Sequence, residues 1–129
     1  MAVSFVHTAF KSIAVANMTV ATTAANTLVA ADESKRYKIV DCYLRAVGGD
    51  AVNGTLVTIC AGAEVALSVA VAPVDDGVIV GIKHASATCT HLGHWSEGGT
   101  AIAIKMTGVT MTGPTTVDCC VSYLVEGAN

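Results

Sequence analysis

What most limits the folds open to this chain is a period-two alternation of apolar and polar residues that recurs along its length, with no sustained helical stripe to compete with it. Successive side chains of a strand point to opposite faces, so such alternation marks a half-buried β-strand. From Tyr37 to Val47 the pattern puts Val40, Cys42, Leu44 and Ala46 on one face. Tyr37, Ile39, Asp41, Tyr43 and Arg45 fall on the other. Thr100 to Thr107 sets Ile102, Ile104 and Met106 against Ala103, Lys105 and Thr107. Val117 to Glu126 sets Val117, Cys119, Val121, Tyr123 and Val125 against Asp118, Cys120, Ser122, Leu124 and Glu126. Further strands, rich in β-branched residues, are predicted over Phe5 to Phe10, Ile13 to Thr22, Thr27 to Ala30, Leu56 to Ala61, Val65 to Val71 and Val78 to Lys83.

Turn residues separate these runs: Gly48-Gly49-Asp50, Asn53-Gly54, Asp75-Asp76-Gly77, Glu97-Gly98-Gly99 and Gly113-Pro114. Short strands divided by such turns predict an all-β protein, a single antiparallel β-sandwich or jelly-roll-like domain. Apart from Lys11 the chain carries no charge before Asp32. Residues 1–31 are therefore expected to form an N-terminal arm or edge strand, within the same sandwich or exchanged with a neighbouring subunit, and 32–129 the sandwich itself.

Composition narrows the function. Hydrophobic residues make up 53% of the 129 and charged residues 13%, which excludes disorder driven by low hydrophobicity. Seven Lys and Arg against ten Asp and Glu give a net charge of −3, which argues against a nucleic-acid partner. Polar residues break every apolar run before the ~18 residues a membrane span needs. The N-terminus lacks the Leu-rich core of a secretory signal, so synthesis in a cytoplasm is expected. With so few charges to keep so apolar a chain in solution, much of its surface is expected to be covered by copies of itself or by a larger assembly.

One stretch gathers ligand-type side chains: His84, Cys89, His91 and His94, followed by Trp95. Imidazole and thiolate suit Zn²⁺ or Cu²⁺, but the spacing matches no established site and HExxH is absent. The favoured reading makes them loop histidines at a surface or subunit contact, with Trp95 as apolar anchor. No GxSxG elbow, GxGxxG or GxxxxGK is present, and Asp75-Asp76 before Gly77 reads as a turn. Neither an enzyme nor a cofactor is expected. The five cysteines are an odd number with no CxxC pair. Cys119 and Cys120 must face opposite ways, Cys42 could approach Cys119 across the sandwich, and Cys60 and Cys89 fall near strand ends where bridging between chains is feasible. All five are either inert thiols or late disulfides.

A charged entry, Asp32 to Lys38, leads into the long strand Ile39 to Val47. Val/Ala/Thr strands with Gly turns follow, and then Gly108, Gly113 and Pro114 ahead of a closing strand, Thr116 to Val125. This cadence resembles the small β-sandwich capsid decoration, or cement, proteins of tailed bacteriophages. The resemblance covers most of the chain from Asp32 onward. It implies a structural virion protein on the capsid surface, a homotrimer that binds the major capsid protein and stabilises an icosahedral head. Phe5, His7 and Phe10 are expected to anchor the N-terminal arm, and Trp95 to be a contact residue. The alternatives are a tail or head-fibre module that binds a receptor or carbohydrate, and a His/Cys metal-binding protein.

Overall fold

Residues 5–18, 26–108 and 110–128 are described by a computed structural model. Eight strands form: β1 (His7–Ala14), β2 (Thr27–Val29), β3 (Lys35–Val47), β4 (Leu56–Ala61), β5 (Glu64–Ala70), β6 (Ile79–Gly81), β7 (Ile102–Thr107) and β8 (Thr116–Gly127). They build two four-stranded sheets, β1-β8-β3-β6 and β2-β7-β4-β5, with every strand pair antiparallel. This strand order is that of an eight-stranded jelly roll, two Greek keys folded face to face. The all-β sandwich expected from the alternation is what forms.

The core lies between the sheets. Leu44, Val117, Cys119 and Val121 of one sheet face Val57, Ile59, Leu67, Ile104 and Met106 of the other, all at most 1% exposed. Each fully buried aliphatic side chain of this size contributes about 1.5–3 kcal/mol relative to exposure. Strands β7 and β8 hold the phase that their alternation predicted.

In β3 the expectation is corrected. A bulge between Ile39 and Asp41 inserts an extra residue, Val40, so Tyr37 and Ile39 are buried on the same side as Cys42, Leu44 and Ala46. An added residue flips every side chain beyond it, which no strict period-two count reproduces. The strand read over Ile13 to Thr22 is also corrected: β1 runs through Ile13 and Ala14, then Val15–Asn17 make a single 3-10 turn. Its remainder, residues 19–22, lies outside the described residues.

One close approach demands glycine. Gly113 has φ +109, and a Cβ there would come within 2.0 Å of the Asp50 carbonyl oxygen. That contact lets the loops at 50–54 and 110–115 run side by side, tied by paired Val52–Thr112 backbone hydrogen bonds of 2.8 and 2.9 Å.

Candidate functional site

The face of sheet β1-β8-β3-β6 turned away from the core is ordered in cross-strand rows. Phe10 lies opposite Cys120, Cys120 opposite Tyr43, and Tyr43 opposite Gly81. The next row is Ser12, Asp118, Arg45 and Ile79. On the other side of the central row lie Thr8, Ser122 and Asp41. Phe10 and Ile79 are each 60% exposed, and Val47 on the same face is exposed too. Phe5, Val6 and Val78, immediately before β1 and β6, are also exposed. Among the described residues, six of the seven strongly exposed large apolar side chains therefore lie on or beside this one sheet, with Val52 the exception. That concentration on one sheet makes this face the candidate contact surface.

Two charge pairs form on this face, and Asp41 is exposed beside them. The Asp118 carboxylate accepts from the Ser12 hydroxyl and, at 3.1 Å, from the Arg45 guanidinium. The Ser12 hydrogen bond, then Arg45, holds the Asp118 carboxyl below its ordinary range. Further along, Arg36 pairs with Glu126. Beside Cys120, the Tyr43 hydroxyl is pushed upward, chiefly by its hydrogen bond to that thiol.

Trp95 belongs to a strap, residues 84–96, that seals two sheet edges. It bridges to Lys38, and the Lys38 ammonium and the Arg36 guanidinium both lie over its ring, 4.8 and 5.3 Å from the centroid. The Gly93 and Ser96 N–H groups donate to the Ile39 and Tyr37 carbonyls at 2.8 and 2.7 Å, and the Tyr37 N–H donates to the Ser96 hydroxyl at 3.0 Å. The strap thus continues sheet β1-β8-β3-β6 beyond the short β6. Across the sandwich it covers β5: Thr88 and Ser68 exchange two backbone hydrogen bonds of 2.8 Å, and the His91 N–H donates to the Val65 carbonyl at 2.8 Å. A bare strand edge is a template for unwanted pairing, and this loop removes most of two of them.

The histidines serve the strap. His91 Nδ1 accepts from the Val65 N–H at 3.2 Å, which leaves its Nε2 3.6 Å from Glu64. His84 Nδ1 accepts from the Ser86 N–H at 3.0 Å, and His94 meets His91 edge to face at 5.4 Å. The Cys89 thiol points to the Ile82 carbonyl, 3.8 Å away. Among the described residues no three His, Cys, Asp or Glu side chains gather as metal ligands. His84, Cys89, His91 and His94 are neighbours in sequence that the structure does not assemble.

No family model, no curated protein and no solved structure matches this chain.

Of the other residues singled out in the sequence, Phe5 is 71% exposed, and His7 stacks on Tyr123 at 5.4 Å. All five cysteines are free. Cys119 faces the core and Cys120 the outer face, as their adjacency requires. Cys42 does not reach Cys119 across the sandwich: Leu44, two residues on, is the partner of Cys119, so both thiols belong to one sheet and one face. Cys60, 4% exposed, is buried rather than available at a strand end. Sequence reasoning missed Ile79 and Val47 as exposed apolar residues of this face. The signal it could have used is the aromatic Tyr43 between two charged residues on the polar side of a strand.

Proposed function

We propose that this chain is a structural virion protein, a capsid decoration protein that stabilises an icosahedral head without chemistry of its own. The observation that carries the reading is the concentration of exposed apolar side chains on one sheet and on the segment leading into it. Phe5 and Val6 present bare apolar surface beside an edge strand, where a lattice of other subunits would cover it. The jelly roll supports the reading by analogy, since capsid domains use it, as do lectins and other unrelated proteins. A protein that binds the assembled shell and not its separated subunits stabilises the shell by mass action, by about 1.4 kcal/mol per tenfold of affinity.

The test is sedimentation of the chain with purified expanded heads of the virus that encodes it, with the temperature of genome release as second readout. Saturable co-sedimentation and a raised release temperature are expected, and Phe5→Ser with Val6→Ser should lower occupancy at least about tenfold. Failure to bind the heads at micromolar concentration overturns the reading.

A second reading, a carbohydrate-binding fibre module, draws on a cleft of about 490 Å³ lined by His7, Asp32, Lys35, Tyr37 and Tyr123. Stacked His7 and Tyr123 rings are the kind of surface a sugar packs on. Glycan-array binding lost in Tyr123→Ala would favour it over the first.

A further inference from the structure

We infer that the outer face of sheet β1-β8-β3-β6 is a two-fold contact with the same face of a second copy of this chain. The first ground is the order of charges on β3. Asp41 and Arg45 flank Tyr43 at two residues on either side, and all three face outward. A two-fold axis in the contact plane, along the row Phe10, Cys120, Tyr43 and Gly81, runs β3 of one copy antiparallel across β3 of the other. Arg45 of each copy then stands over Asp41 of its mate, twice per contact. Along β8 the same operation sets Asp118 over Ser122 and Cys120 over Cys120, and along β1 it sets Ser12 over Thr8 and Phe10 over Phe10. No like charges meet in these rows. Self-complementarity of this kind is what an isologous contact requires and what a surface for an unlike partner does not need.

The second ground is extent and composition. Three strands about 4.8 Å apart, followed along β8 from Leu124 to Thr116, outline about 14 Å by 27 Å, and with the three-residue β6 beside them the patch is on the order of 440 Å² before side-chain relief is counted. A specific pair buries about 600 Å² a side at the low end of its range, so the face has the size of a small, weak contact. Its middle row is aromatic, with Phe10 and Tyr43 on either side of Cys120, and its charges lie in the flanking rows, one of which ends on exposed Ile79. A core of rings with polar groups outside it is the usual anatomy of an interface.

The pairing stands independently of the virion reading. Loss of head binding by Phe5→Ser and Val6→Ser leaves it untouched, and loss of pairing leaves head binding to be judged on its own. It also differs from any three-fold contact, which joins two unlike surfaces and never sets Cys120 against itself.

Cys120 provides the probe. Sheets packed face to face lie about 10 Å apart, too far for a disulfide, whose Cα atoms are under about 7 Å, but within reach of a short bismaleimide. Treatment of the intact protein is expected to give a covalent dimer that Cys120→Ser abolishes, with a reversible dimer in sedimentation equilibrium. Asp41→Lys, at an exposed position, puts two like-charge pairs into the contact and should lower the cross-linked yield at least about tenfold. Mixing Asp41→Lys with Arg45→Glu restores opposite charges at both places and should restore the cross-link between the two variants, a recovery that misfolding cannot mimic. Phe10→Ser should weaken pairing with the circular dichroism unchanged. The inference is overturned if the wild type gives no Cys120-dependent dimer at hundred-micromolar concentration, or if Asp41→Lys and Phe10→Ser cross-link as the wild type does.

Discussion

Asp118 and the buried thiols respond to pH in opposite directions. Because the Ser12 hydroxyl and then Arg45 lower the folded-state titration of Asp118, its stabilisation is in place above the unfolded value near 4 and fades as pH falls through the folded one. Ser12→Ala is expected to cost about 1 kcal/mol in urea unfolding at pH 7, with the gap to wild type narrowing below about pH 4. A gap that stays constant from pH 7 to pH 2 would show that the hydroxyl acts by packing alone. Burial instead pushes the Cys42 thiol up to about 12, and Cys119 upward as well. Their stabilisation is complete below the unfolded thiol value of about 8.5 and is lost as pH climbs toward the folded ones, so melting temperature should fall above about pH 9. At pH 8 a disulfide reagent such as DTNB should label Cys120 in the native protein and reach Cys42 and Cys119 only after unfolding. Native labelling of Cys119 would contradict its place in the core.

At the scale of elements, the strap at 84–96 contributes chiefly through hydrogen bonds to strand edges. Ser96, 2% exposed, satisfies the N–H of buried Tyr37. Ser96→Ala removes that acceptor, and the expected loss is about 1–3 kcal/mol in chemical denaturation, with the Trp95 emission shifting to the red as the strap loosens. An unchanged midpoint would mean that water replaces the hydroxyl. The strap also shows where sequence reading stops. Its histidines looked like ligands because three fall within eleven residues, yet two of them spend a ring nitrogen on backbone N–H groups, one belonging to a strand 26 residues away in sequence. Strands β7 and β8 were legible because nothing interrupts their period. In β3 the faces of Tyr37, Ile39 and Val40 were misread because a bulge is fixed by the partner strand, not by the residues that form it.

For the whole molecule the decisive pairing joins the two ends of the chain: β1 lies against β8 in register from His7 opposite Tyr123 to Ala14 opposite Thr116. Pairings this distant in sequence close long loops before any contact rewards them, so folding on the millisecond-to-second scale is expected. Removal of residues 1–14 would leave the twelve-residue β8 with a bare edge beside β3. The shortened chain should show a much lower soluble yield and elute from size exclusion as aggregate. A monodisperse product with the parent's melting temperature would show that β1 is dispensable to the sandwich.

Local physics was enough for the sequence to determine strands, turns and the opposite facing of Cys119 and Cys120, because side-chain alternation and turn torsions depend on neighbours only. It also determined a chain short of charge for its apolar content. The tertiary structure alone decided the jelly-roll order, the use of the 84–96 loop as an edge seal, and the rows that bring Phe10, Cys120 and Tyr43 together. Those depend on register between distant strands. Ser12 and Asp118, 106 residues apart, share a hydrogen bond that no local pattern encodes.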